Sequence, residues 1–195
     1  MRPTIIVFAK APVPGRVKTR LGLAPEQASR LHERFVRATV ELVTGLDADV
    51  ELHTDIATEA WRDLPVRRRL QESGDLGARM YAVMFGASWE SRASSMRSCH
   101  VMIVGSDAPT VPKAHLVKLL DSTADIALGP AEDGGYYAIA CRRLHPAMFR
   151  GVEWSTRETL NQTIEAARAC GLTVELGEPW FDVDRPEDLA RAGEV

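Results

Sequence analysis

Cysteine is scarce in this chain. Cys99, Cys141 and Cys170 are the only three in 195 residues, and none stands at zinc-knuckle or CxxC spacing, so the expectation is reduced, mostly buried thiols. Long apolar runs are also missing: no stretch approaches the roughly 20 residues needed to cross a bilayer. The N-terminus does not read as a signal peptide, because Lys10 and two prolines follow only the run "TIIVFA", and the expected location is cytoplasmic. Charge of one sign is not in excess. Lys and Arg total 24 against 27 acids, a net charge of −3, which gives no global attraction to nucleic acid or an anionic membrane. The arginine run at 67–69 is too short for a nucleic-acid tail and reads as a solvated edge. Any anion site must be local.

Several signatures are absent as well. Neither GxxxxGK[ST] nor GxGxxG occurs, which removes P-loop kinase and Rossmann dehydrogenase readings. Five scattered histidines lack HExxH spacing, and "GSDAP" is not the GxSxG of a nucleophile elbow. No repeat or low-complexity linker divides the chain, whose 45% hydrophobic and 26% charged residues suit one compact domain over 1–195.

What is present alternates. Apolar, β-branched runs at 4–9, 49–54, 66–71, 100–105, 125–130 and 172–177 read as strands. Segments 25–46, 75–90, 111–122 and 155–171 carry helical periodicity, the first opening at Pro25 and stopping at Gly45, the last closing with Gly171. Strand followed by helix, repeated, predicts an α/β fold with a mostly parallel sheet. The alternating "GGYYAIAC" at 134–141 follows its preceding strand too closely for a helical crossover, which predicts a bend or an antiparallel strand. In such a sheet ligands gather at the carboxyl ends of the strands. The loops to search for chemistry are therefore 10–21, 72–77, 105–112, 130–135 and the stretch after 177.

The first of these, "KAPVPGRVKTRL", sets Lys10, Arg16, Lys18 and Arg20 among prolines and Gly15. Such a loop can hold its backbone near a ligand while the cations hydrogen-bond a phosphate; the alternative is a solvated basic loop. Asp107 in "VGSDAPT" sits just past a strand and can ligate a hard divalent ion that also holds phosphate oxygens, or can cap the helix that begins near Pro112. Asp182 and Asp184 in "WFDVDRPEDL" share one face if extended, although Asp184 could instead cap the helix started by Pro186. The loops around Gly77 and at 129–140 allow backbone approach to a base, ribose or sugar, with Glu132 and Asp133 able to contact hydroxyls or act as a base.

Taken in order, "FAKAPVPGRVKTRL", "GDLGARM", "GSDAPT", "GPAEDGGYYAIA", "WSTRETL" and "FDVDRPEDL" resemble a family of bacterial GT-A-type transferases, nucleotide-diphospho-sugar transferase-like and in some members arsenosugar-biosynthesis glycosyltransferases. The resemblance spans roughly residues 4–192 and extends distantly to the molybdenum-cofactor, phospholactate and CMP-sugar nucleotidyltransferases, which share a basic loop after strand one and a D-x-D-T-P-E-D-L segment.

The resemblance implies a GT-A fold, phosphate contacts from Lys10, Arg16, Lys18 and Arg20, with Gly15 and Gly77 at the nucleotide, and Mg2+ or Mn2+ on Asp107 with Asp184 or Asp182. Asp133 is the candidate base, Lys18 the cation that neutralises the leaving group, and Gly134, Gly135 and Tyr136 line the acceptor side. Two departures stand out: Arg185 replaces the usual threonine, and "GSDAP" offers one acid where many GT-A glycosyltransferases have an Asp-x-Asp pair.

The activity implied is glycosyl transfer from a nucleotide-diphospho-sugar to a small-molecule acceptor. The alternative is a nucleotidyltransferase that consumes a nucleoside triphosphate and releases pyrophosphate. A noncatalytic nucleotide-binding protein is a third, less supported reading.

Overall fold

The computed structural model describes residues 2–87 and 97–193. Its seven strands are β1 (Thr4–Ala9), β2 (Asp49–Thr54), β3 (Arg67–Leu70), β4 (Arg97–Gly105), β5 (Ile126–Pro130), β6 (Tyr136–Leu144) and β7 (Val174–Leu176). The helices are α1 (Pro25–Thr44), α2 (Leu76–Gly86), α3 (Lys113–Asp121), α4 (Thr159–Ala169) and α5 (Pro186–Ala192). One sheet runs in the order β3-β2-β1-β4-β6-β5-β7. β6 is antiparallel to both β4 and β5, and every other pairing is parallel.

Side-chain alternation along β1 builds the two sides of this sheet. Ile5 and Val7 point to one layer, packed with Val36, Val40 and Val43 of α1 and Leu116 and Leu119 of α3. Ile6 and Phe8 point to the other, with Met80 and Met84 of α2 and Ala167 of α4. Because successive strand residues face opposite ways, a run that is apolar throughout can be buried on both faces. A third, smaller cluster joins Leu31 and Phe35 of α1 to Leu21 of the basic loop and to Phe181 and Val183 near the C-terminus. That cluster brings the two ends of the chain together.

Local chemistry sets the helix boundaries. Pro25 occupies the first turn of α1, where its missing N–H costs nothing. Asp75 caps α2 by accepting from Ala78 N at 2.8 Å. The helix expected over 75–90 ends at Gly86, and its last three positions, 88–90, lie outside the described residues. Gly171, at φ 73°, takes the left-handed conformation that ends α4. The arginine run forms the exposed edge strand β3, with Arg67 and Arg69 both paired to Glu51.

Ile139 on β6 is 1% exposed between the flanking strands, whereas Leu176 on the edge strand β7 is 50% exposed. Ile139→Ala is expected to cost about 2–5 kcal/mol and Leu176→Ala under about 0.5 kcal/mol, measured by urea unfolding.

Candidate functional site

Three loops meet at the carboxyl ends of β1 and β4. Beyond β4, the backbone carbonyl of Asp107 accepts from Val183 N at 2.7 Å, which lays the C-terminal segment alongside the β4 loop. The basic loop enters from β1 and is held by α1: Ser29 donates to the Pro12 carbonyl, and His32 Nε2 lies 2.9 Å from the Lys10 carbonyl. Burial holds His32 below its usual pKa and outweighs that contact.

Lys18 closes the junction. Its backbone takes the left-handed conformation, φ 49°, uncommon for a residue with a side chain. The side chain runs inward over the Phe35 ring, 5.4 Å from its centroid, and is 2% exposed. Its ammonium reaches Asp107 Oδ1 at 2.6 Å, Asp184 Oδ1 at 3.0 Å and the Val183 carbonyl at 2.6 Å. Burial works to discharge Lys18, but the two carboxylates outweigh it and raise its pKa. Burial likewise favours the neutral form of Asp107; the charge and hydrogen bond of Lys18 prevail, and its pKa falls. The loops around Asp107 are densely packed, yet 53% of its side chain remains open, so solvent screens part of the attraction.

Neither acid is spent on capping. Pro112 occupies the cap position of α3 and Arg185 that of α5. Asp188 reaches back to accept from Asp184 N at 3.0 Å and Arg185 N at 2.8 Å, which leaves the Asp184 carboxylate free for Lys18.

Asp182 lies in the same field. Burial first, then the charges of Asp107, Asp133 and Asp184, push its carboxyl up to about 8. Asp107, Asp133, Asp182 and Asp184 therefore share one electrostatic neighbourhood, in which Lys18 pairs with Asp107 and Asp184. Such hard oxygen donors with uncompensated charge fit a divalent ion such as Mg2+ or Mn2+. Among the described residues, however, no three His, Cys, Asp or Glu side chains are already gathered around one point, and Lys18 fills the space between Asp107 and Asp184.

The remaining candidates separate. Lys10 and Gly15 are exposed, the latter at φ 78°. Arg16 leans 3.4 Å from Asp55, which also accepts from Ala11 N at 2.7 Å. Arg20 has no ion pair among the described residues and borders, with Arg185, Pro186 and Glu187, a shallow depression of about 320 Å³. Of Arg16, Lys18 and Arg20, all expected to face a ligand, Lys18 directs its hydrogen bonds to the protein.

Asp133 caps its own turn, accepting from Gly135 N at 2.8 Å. Gly134 sits at φ 95°, and a Cβ there would fall 2.3 Å from the Arg157 carbonyl oxygen, so the "WSTRET" loop packs directly onto this turn. Tyr136, expected on the acceptor side, points into the sheet–helix layer. It packs into the α2–α4 layer, with its hydroxyl 4.0 Å from Met80 Sδ, and burial pushes the phenol well up. Gly77, expected at the nucleotide, is likewise buried: a Cβ would meet the Trp154 ring at 2.6 Å, a packing reason for glycine.

Sequence reasoning missed several partners. Asp55 directly follows the carboxyl end of β2, a position that could have marked it. Gln71 donates to the carbonyls of Ala9 and His53 and accepts from Arg79 at 2.7 Å, tying three strand ends to α2. Glu132, weighed as a hydroxyl contact, forms a two-pronged ion pair with Arg191 at 2.6 and 2.7 Å, and Arg191 stacks on Phe181.

Known proteins resemble this chain in sequence and in fold. The family model described as "Uncharacterized protein conserved in bacteria (DUF2064)" matches residues 31–156. No curated protein matches the chain. Among solved structures, a candidate nucleotide-diphospho-sugar transferase from Desulfovibrio desulfuricans G20 is 31% identical, with TM-score 0.81 over 95% of this chain and 84% of that one. The synthetase for CMP:2-keto-3-deoxy-manno-octonic acid, solved with CTP, aligns at 12% identity and TM-score 0.57 over 98% of this chain and 96% of the other. A nucleotidyl transferase from Methanothermobacter thermautotrophicus gives 14%, 0.56, 98% and 96%. The last two share the fold, a mostly parallel sheet flanked by helices.

A raised carboxyl has a definite sign in stability. The unfolded chain releases the Asp182 proton near its ordinary value of 3.8 and the folded chain near 8, so stability falls as pH rises between them, by at most about 1.4 kcal/mol per pH unit. In chelator-treated protein, Asp182→Asn is expected to raise the melting temperature at pH 8 and leave it unchanged at pH 3, followed by circular dichroism.

Proposed function

The chain belongs to that bacterial family, and from this premise we propose that it is a transferase acting on a nucleotide-activated substrate, moving a sugar from a nucleotide-diphospho-sugar to a small-molecule acceptor. The observation that carries this reading is the junction of the basic loop, the β4 loop and the C-terminal segment through Lys18, Asp107 and Asp184. It sets cations beside acids at the strand ends where ligands bind α/β sheets. The 31% identity to the Desulfovibrio protein across 95% of the chain supports the same substrate class.

In this mechanism Lys10, Arg16 and Arg20 hold the diphosphate, and Lys18 stays below, fixing the two carboxylates. Asp107 and Asp184, with Asp182, are the residues that would hold Mg2+ or Mn2+. A bound divalent ion would supply neutralisation of the departing diphosphate. Asp133, at the exposed rim, takes the proton from the acceptor hydroxyl as its oxygen bonds to the anomeric carbon and the bond from that carbon to the diphosphate breaks. The products are the glycosylated acceptor and a nucleoside diphosphate.

A second reading, nucleotidyl transfer, is favoured by one feature: "GSDAP" carries a single acid beside a loop whose cations suit a triphosphate. The two differ in the bond broken and hence in the leaving group. Incubation with Mg2+ and panels of nucleotide-sugars or nucleoside triphosphates is expected to yield nucleoside diphosphate from a nucleotide-sugar, with turnover lost in Asp107→Asn and suppressed in Asp133→Asn. Pyrophosphate release without nucleotide-sugar turnover would establish the second reading instead. Arg20→Ala is expected to weaken nucleotide binding about ten- to a hundred-fold, the loss of one charge-assisted hydrogen bond, measured by titration calorimetry. Unchanged affinity would return Arg20 to a solvated loop.

A further inference from the structure

Cys99 and Cys141 are 42 positions apart in the chain, too far for any sequence motif, but β4 and β6 bring them together. The ladder between these antiparallel strands is regular from Val101↔Cys141 to Val104↔Ala138 and slips between Ser98 and Val101. Cys99 lies in that irregularity, off the regular register. Its sulfur approaches Cys141 Sγ at 3.1 Å and the Cys141 carbonyl at 3.1 Å. A disulfide bond is 2.03–2.05 Å long, so about one ångström of movement separates the two thiols from a bond.

We propose that Cys99 and Cys141 form a modification site, a dithiol that a low-molecular-weight disulfide converts to an intramolecular disulfide across β4 and β6. The two thiols differ in access: Cys99 is partly exposed, and Cys141 is 1% exposed. Reaction therefore begins at Cys99. Its thiolate attacks one sulfur of the small disulfide and expels a thiolate, leaving a mixed disulfide. The Cys141 sulfur then attacks the Cys99 sulfur and expels the second thiolate. The two protons given up by Cys99 and Cys141 end on the two released small thiols. Two protein thiols are oxidised and one external disulfide is reduced.

At rest the close contact with the Cys99 sulfur, together with burial, holds the pKa of the Cys141 thiol well above the usual value. This slows the second step, but the pre-formed contact compensates by making it intramolecular. The cross-link would enclose the segment that carries Asp107, α3, β5 and Asp133. It lies at the opposite end of β4 from Asp107, so it constrains the scaffold of the site without touching it. Closing a loop of this length restricts the unfolded chain and stabilises the fold.

The experiment treats the reduced protein with oxidised glutathione, alkylates the remaining thiols and maps peptides without reduction. Alkylatable thiols are expected to fall from three to one, with a peptide linking Cys99 to Cys141 and a melting temperature higher by roughly 5–10 °C, reversed by dithiothreitol. Cys170→Ser should retain the link and Cys99→Ser should lose it. The wild-type peptide map stands even if a variant fails to fold. Three alkylatable thiols after treatment, glutathione retained on Cys99, or a link involving Cys170 or a second chain would each overturn the proposal.

Discussion

The buried ammonium of Lys18 is the constraint on which the site depends. A charge taken out of water must be matched by nearby acceptors or it discharges, and Lys18 finds them on two other segments: the carboxylates of Asp107 and Asp184 and the Val183 carbonyl. The loop after β1, the loop after β4 and the strand-like segment before α5 are thereby locked to one another. Phe35, Leu21, Phe181 and Val183 wrap the same point with apolar surface. Packing excludes water from the ammonium, and exclusion of water strengthens its grip on the acids.

The same junction concentrates negative charge. Lys18 offsets one of the two charges on Asp107 and Asp184, and Asp182, left among its neighbours' charges, keeps its proton to about pH 8. A fold that needed only stability would gain nothing from this arrangement, and perturbed carboxyls gathered at strand ends are a mark of functional sites. Around the rim, Glu132 and Arg191 pin α5 to the loop that carries Asp133, and the Gly134 turn lies flat against Arg157. That rim is thus set by contacts between segments far apart in the chain.

Antiparallel β6 is what makes the sheet mixed. Inserted between β4 and β5, it carries the Asp133 turn toward the end of the sheet where β4 delivers Asp107. It also places Cys141 beside Cys99 at the other end. The pairing of this reversed strand with β4 accounts for the meeting of the thiols.

From sequence alone, periodicity yielded every strand among the described residues to within a few positions, and the absence of a crossover before 134–141 left a bend or a reversed strand, of which the fold takes the second. Strand-end reasoning also pointed to the loops that carry Lys18, Asp107, Asp133 and Asp184. These features are local: side-chain alternation and turn chemistry act over a few residues and can be read there. The direction of Lys18, the core position of Tyr136, the packing role of Gly77, the Asp55 and Gln71 contacts and the Cys99–Cys141 approach could not be read in this way. Each depends on which distant residue supplies the acceptor, the apolar wall or the second sulfur, and only the folded chain, by satisfying buried charge and filling space at once, decides that.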